Sequence, residues 1–329
     1  MAAGGTGLRL APPPGIERDA SKLRWGVVST IKAPLPAIAR FAAWHLECGA
    51  ARITIHLDDP DPETSGFLAA HPALRVIDCT ENYWKGKPQK ARKTHQLRQA
   101  FNATRIYRRS DDLDWLAHLD VDEFLLSERP LATLLAEAPD DAAFVRLAPV
   151  EQLQTEQGPS LFKRTAKQAG QPKSVLEELY PTFGAHLPGG FIGYTGGKNI
   201  VRCGLDGVRM GIHSLTMKGT RVTNGAAIAA EIGHAHAPDL ASFLAHVRFR
   251  MEHGSYRDLD NGNRALHGIL QILKDDGPAG LERLYTEVNL ARPELVAGLD
   301  GYGMLVRREM GLDALVTRHF GPLPQADAA

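Results

Sequence analysis

Asp120 and Asp122 are the residues of this chain whose type and spacing point most directly to chemistry. They close the stretch Trp115-Leu-Ala-His-Leu-Asp-Val-Asp-Glu-Phe124. Trp115, Leu116, Leu119 and Val121 have the apolar and β-branched character of a short buried strand. That run ends in Asp120, Asp122 and Glu123, where a parallel strand would stop and its loop begin. Carboxylates at i and i+2 of extended chain project to the same side. So close, they repel unless a cation sits between them. A hard divalent ion such as Mn²⁺ or Mg²⁺ takes one or two carboxylates and completes its shell with substrate phosphates. Asp-x-Asp also occurs as a pair of solvated acids at a strand end. Its place at the end of an apolar strand, where open α/β sheets bind ligands, favours a metal-diphosphate site.

The elements that would carry this site follow an alternating pattern. Trp25–Ile31 reads as a first buried strand, followed by a helix opened by Pro36 with Ile38, Phe41, Ala42 and His45 on one face. His45 on that apolar face reads as a core histidine. Gly49 ends the helix. Strands over 52–57 and 74–78 flank a short helix through Phe67 and Leu68, with an acidic turn at Asp58–Pro62. A long helix is expected over 89–108, its buried stripe at Leu97, Ala100, Phe101 and Thr104, with Arg98, Asn102 and Arg105 on an adjoining face. It feeds the strand that ends in Asp120. Strands alternating with helices predict βαβ units and a mostly parallel, Rossmann-like α/β sheet.

Beyond it, Leu131–Leu135 reads as helix and Ala143–Leu147 as strand. The polar, Gly- and Pro-containing stretch 151–190 reads as loops, and 199–202 with 208–212 as a strand pair around Gly204-Leu-Asp-Gly207. A helix is expected after Pro238, and residues past Tyr256 read as helical and peripheral. The expected division is a flexible tail at 1–22, one catalytic domain at 23–255 and a helical extension with a tail at 256–329.

Composition narrows the function classes. The chain has 329 residues, with Lys+Arg and Asp+Glu both at 38, so no net field points to nucleic acid. The first twenty residues lack an apolar signal core and no run is apolar enough to span a membrane. Cys48, Cys79 and Cys203 are scattered, as expected of reduced thiols. The expectation is a cytoplasmic protein with at most peripheral membrane contact.

The pairing of Trp115-x-x-x-x-Asp-x-Asp-Glu-Phe124 with His234-x-His-x-x-x-x-x-Ser-Phe243 resembles the GT-A fold glycosyltransferases, on the branch allied to family 2 and family 92 enzymes. Gly197-Lys-Asn-Ile-Val-Arg202 with Ile212-His213, Trp44-His45 with Cys48-Gly49, and Arg98-Gln-x-x-Asn102 also look like that family, over roughly 25–254. Where relatives often carry Lys-Asn-Glu after the first strand, this chain has Lys32-Ala33-Pro34. The resemblance implies a GT-A fold with a C-terminal helical extension. It implies transfer of a sugar, with inversion, from a nucleotide-diphospho-sugar to a carbohydrate or glycan acceptor. Asp120 and Asp122 match the metal-binding pair, with His234 as the late ligand and His236 as its equal alternative. Asp58 matches an acid that contacts the base or ribose, and Arg98, Asn102 and Lys198 match further donor contacts. For the general base of an inverting reaction, Glu151 is the first candidate, with His213 and Asp206 behind it. Two other readings stay open. Nucleotidyl or phosphoryl transfer on a related sheet would need a Gly-rich phosphate loop, which the turn after Ile31 lacks. A non-catalytic sugar-binding module is the other, against which the Asp-x-Asp and His234 argue.

Overall fold

The computed structural model describes residues 7–13, 15–253 and 276–324. The expected tail residues 1–6 and 325–329 and the expected helical stretch 256–275 lie outside the described residues. In chain order the elements are β1 (Trp25–Ile31), α1 (Leu35–Glu47), β2 (Arg52–Leu57), α2 (Pro62–Ala69), β3 (Leu74–Asp78), α3 (Glu81–Trp84), α4 (Gln89–Arg92) and α5 (His95–Tyr107). They continue with β4 (Trp115–His118), β5 (Glu123–Ser127), α6 (Leu131–Ala136), β6 (Phe144–Leu153), β7 (Ser160–Lys163), α7 (Val175–Leu179), β8 (Lys198–Arg202) and β9 (Val208–Met210). The last are β10 (Leu215–Met217), β11 (Thr220–Arg221), β12 (Gly225–His234), α8 (Leu240–His253), α9 (Pro278–Val288), α10 (Pro293–Gly301), β13 (Leu305–Arg308) and α11 (Leu312–Phe320). The chain divides into two compact units, interleaved in sequence. One holds Met1–Ala148, Gly197–Ile232 and Gly311–Ala329, the other Pro149–Gly196 and Gly233–Met310. This division does not follow the expected segments at 23–255 and 256–329.

In the first unit the strands run in the order β6-β8-β4-β1-β2-β3. β4, β1, β2 and β3 are parallel, whereas β8 is antiparallel to both β4 and β6. This is the expected mixed α/β fold, a mostly parallel sheet flanked by helices. Alternate residues of the central strands serve opposite faces. Val27, Trp115 and Ala117 pack towards Ile38, Phe41 and Ala42 of α1, while Val28 and Leu116 pack towards Ala103, Ile106 and Tyr107 of α5. Both faces are buried, which is why these strands read as continuous apolar runs. The outer side of α1 is covered in turn by Leu315 and Val316 of α11 against Ala39 and Ala43. The C-terminal segment is thus part of the core packing and not peripheral.

The long helix expected over 89–108 is broken. Thr94 leaves helical geometry and accepts a hydrogen bond from the Leu97 N–H, so it caps α5 and separates it from α4. The restart buries Gln99, Asn102, Ala103, Ile106 and Tyr107 together with Thr104, the one residue of the expected stripe that is buried. The strand pair expected around Gly204–Gly207 does not form. β8 joins the large sheet, and β9 pairs with β10 in a separate small sheet. The described part of the N-terminal tail is docked on this unit. Leu8 bridges Val222, the Asn224 side chain pairs with the Leu10 backbone, and Arg18 donates to the carbonyls of Ala136 and Ala138.

In the second unit the far half of β6 pairs antiparallel with β7, and β7 with β13. Its core is a separate apolar cluster including Leu153, Tyr180, Phe183, Phe243, Leu284 and Met304. The stretch expected to be loops therefore contains the end of β6, all of β7, and α7. Among the described residues no helix is long and apolar enough to cross a membrane.

Candidate functional site

β1, β2 and β3 follow one another outward across the sheet, and β4 then returns to the opposite side of β1. The strand order reverses between β1 and β4, and the crevice outside the carboxyl ends of such a pair is where open α/β sheets bind ligands. The acidic motif sits there. Leu119 extends β4 by donating its N–H to the Val28 carbonyl of β1 at 3.2 Å. The chain then turns. Glu123 N–H donates to the Asp120 carbonyl at 3.1 Å, and Asp120 N–H donates to Glu123 Oε2 at 2.9 Å. Asp120 and Asp122 are therefore on a tight turn between β4 and β5, not on one face of extended chain.

A cation does sit at the carboxylates, and it is a side chain. β8 runs antiparallel to β4 with Ile200 opposite Ala117, so Lys198 falls opposite Leu119 and beside Asp120. The Lys198 ammonium lies 2.7 Å from Asp120 Oδ2 and 3.0 Å from Glu123 Oε2, and both Lys198 and Glu123 are fully buried. The second Asp120 oxygen accepts from the Gln99 amide of α5. Burial would raise the Asp120 pKa, but the Lys198 charge outweighs it and holds the carboxyl below its ordinary range, with Asp122 pushing the other way. Burial would lower the Lys198 pKa, and Asp120 and Glu123 together raise it well above that of a free lysine. Asp120 and Lys198 are thus held in their charged forms. His118 beside it is held neutral, its pKa lowered to about 4 by burial and by Lys198. A divalent ion drawn to Asp120 would meet the Lys198 ammonium, so the residues do not fit an ion shared equally by the two aspartates. They fit one anchored at Asp122, on the half-buried crest of the turn, because a single carboxylate is enough when phosphates supply other ligands.

At the end of β2, Asp58 and Arg98 meet each other. The Asp58 side chain is only 3% exposed. It accepts from Arg98 Nε at 2.7 Å, from Arg98 Nη2 at 2.6 Å and from His95 Nδ1 at 2.9 Å. Burial would raise its pKa, but these donors bring it down to about 2. Asn102 is fully buried; its amide donates to Thr30 Oγ1 at 3.1 Å and its oxygen accepts from Tyr83 at 2.7 Å. It ties α5 to β1 and to α3, where the sequence pattern had put it on a donor-facing surface. His213 lies on the same unit. Its Nδ1 is 2.8 Å from the Gly197 carbonyl, which can only accept, so Nδ1 carries a proton.

Glu151 belongs to the second unit and lies within β6, not beyond the end of a strand. It is 1% exposed and faces Lys163 across the β6–β7 pair, 3.0 Å from its ammonium. Glu151 also accepts from Gly193 N–H at 2.6 Å and Ile192 N–H at 3.2 Å, while His236 Nε2 is 3.8 Å away. Burial opposes ionisation here, yet Lys163 and His236 hold the carboxyl below its ordinary range. A carboxylate so committed is a weak proton acceptor and a strong anchor. Gly193 lets the backbone approach it: a Cβ there would stand 2.9 Å from Glu151 Oε1 and 3.0 Å from His234 Nδ1. The His234 ring packs between Tyr194 and His236, with both centroids 4.6 Å away. Among the described residues no group of three or more His, Cys, Asp or Glu is assembled as a metal site. Lys163, His95 and Gln99 are the contributors that pattern reasoning missed. His95 and Gln99 flank Arg98 in the helix motif and share its end of α5, which was the available signal; Lys163 had none.

No protein-family model matches the chain, and no curated protein sequence matches it. The functional reading therefore rests on these residues and on the fold that gathers them.

Proposed function

We propose that this chain is a glycosyltransferase of GT-A type that moves a sugar from a nucleotide-diphospho-sugar to a carbohydrate or glycan acceptor. The observation that carries the reading is the acidic turn Asp120-Val-Asp-Glu123 at the reversal point between β1 and β4. Asp58, Arg98 and His95 form a second polar cluster at the end of the neighbouring β2, on the side where the nucleoside would extend.

Asp122 is the residue assigned to a divalent ion, Mn²⁺ or Mg²⁺, which would supply positive charge to the departing nucleoside diphosphate. Lys198 holds Asp120 and Glu123 in place, and Arg98 holds Asp58. The acceptor hydroxyl oxygen bonds to the anomeric carbon as the bond from that carbon to the diphosphate oxygen breaks. The hydroxyl proton passes to Nε2 of His213, which is preferred to Glu151 because Glu151 is buried and committed to Lys163. One displacement inverts the anomeric centre. A cytoplasmic location is part of this proposal, supported by three cysteines that form no disulfide.

The test is release of nucleoside diphosphate from a panel of nucleotide-sugars with Mn²⁺ and mixed glycan acceptors. Turnover by the wild type that is lost in Asp122→Ala and His213→Ala is expected. Absence of both turnover and metal-dependent thermal stabilisation by every donor would overturn the reading.

A further inference from the structure

Four arginines converge on one cavity at the C-terminal end of α5. Arg105, Arg108 and Arg109 line it from the last turn of α5 and the residues just after, Arg209 lines it from β9, and Phe101 and Thr104 complete a hollow of about 450 Å³. On a helix, positions 101, 105, 108 and 109 share one face. In β9, Val208 and Met210 turn inward, so Arg209 points outward. The two elements are locked together underneath. Met210 N–H donates to Thr104 Oγ1 at 3.1 Å, and Thr104 is buried.

Composition does not account for this cluster, because the chain carries equal numbers of basic and acidic residues. No carboxylate pairs with any of the four among the described residues. The carbonyl end of α5 attracts cations and accounts for part of the grouping. It does not account for Arg209, which comes from β9. The field reaches the adjoining loop: Lys87, above the Tyr83 ring at 3.9 Å, has its pKa lowered by burial first and then by Arg105, with Arg109 adding. Guanidinium groups match phosphate oxygens two at a time and keep their charge at every accessible pH. The hollow is of the size that takes a small ligand. Gln99 faces Asp120, and Arg109 lies ten residues further along, so the far side of the hollow is roughly 15 Å from the acidic turn at 1.5 Å per residue.

We propose that the hollow formed by Arg105, Arg108, Arg109 and Arg209 is a binding site for a multiply charged phosphate group, with Phe101 as the apolar wall for whatever carries it. The site does not depend on the transferase reading. The phosphate could belong to a free ester or to a lipid headgroup, and the two are separated by probe.

The full-length protein is titrated in EDTA with inorganic pyrophosphate, and separately with phosphatidylcholine vesicles with and without phosphatidic acid. The same titrations use Arg108→Ala/Arg209→Ala. Saturable, salt-sensitive binding in at least one arm, weakened about tenfold or more by the double substitution, is expected. Binding of pyrophosphate assigns a soluble phosphate, and binding of phosphatidic acid vesicles alone assigns a headgroup. Removing two unpaired like charges should leave the ligand-free melting temperature level or higher. No saturable binding in either arm, binding that survives the double substitution, or a clear fall in that melting temperature would each overturn the proposal.

Discussion

The Lys198 ammonium lies 2.7 Å from the Asp120 carboxylate, within the acidic turn's own charge cluster. The repulsion within the acidic turn is relieved by the protein's own cation. Removing one member of a buried ion pair costs about 3–5 kcal/mol, because the partner is left charged and unsolvated. Lys198→Ala is therefore expected to lose stability on that scale in urea unfolding. Added Mn²⁺ should raise the melting temperature of this variant without donor, and should not do so for the wild type. A variant as stable as the wild type would show that the ion pair contributes nothing.

The two aspartates should separate under mutation. Asp120→Ala removes the partner of Lys198 and should unfold at lower urea. Asp122→Ala should lose less stability than Asp120→Ala and should lose metal-dependent nucleotide binding in calorimetry. Equal stabilities, or retained binding in Asp122→Ala, would contradict the roles given to them.

Acid should act through Asp58 and His45 in different windows. Asp58 has a folded pKa of about 2, below its unfolded value near 3.9, so it contributes above that value and is lost as pH falls towards 2. The contribution is about 2 kcal/mol, and Arg98→Ala should remove most of it. His45 is buried against Phe41 and Phe124, and burial lowers its pKa to about 4. The unfolded chain takes up the proton first, so stability is full above about pH 6.5 and falls between there and pH 4. Equilibrium unfolding against pH should show that decline, and His45→Leu should flatten it.

Glu151 and His213 make opposite predictions. Glu151→Gln leaves Lys163 buried without its counter-ion and should cost about 3–5 kcal/mol, with activity lost only in proportion to unfolding. His213→Ala, measured where it is folded, should lose turnover by about a hundredfold or more. A stable, inactive Glu151→Gln would return the base assignment to the carboxylate.

The parallel half of the sheet was legible because its strands are buried on both faces. Trp25–Ile31, Arg52–Leu57 and Leu74–Asp78 are read from apolar runs bounded by Gly, Asp and Pro, and form over those residues. The position of the acidic motif at the end of β4 was legible for the same reason. What was lost depends on partners distant in sequence. Lys198 is expected at the donor and Lys163 carries no expectation, because only antiparallel pairing across the sheet buries each against an acid. Thr94 reads as one more polar helix residue, yet its cap shifts the buried stripe and takes Asn102 into the core.

The packing of Leu315 and Val316 on Ala39 and Ala43 joins the two ends of the first unit across most of the chain. During synthesis the outer side of α1 leaves the ribosome long before its cover does. At about 5–20 residues per second that interval is on the order of tens of seconds. Over that time the nascent chain carries an uncovered apolar helix face, the kind of surface that holding chaperones bind. A chain stopped before Leu312 should therefore keep that face uncovered, and should unfold at lower urea and be degraded faster than the full chain.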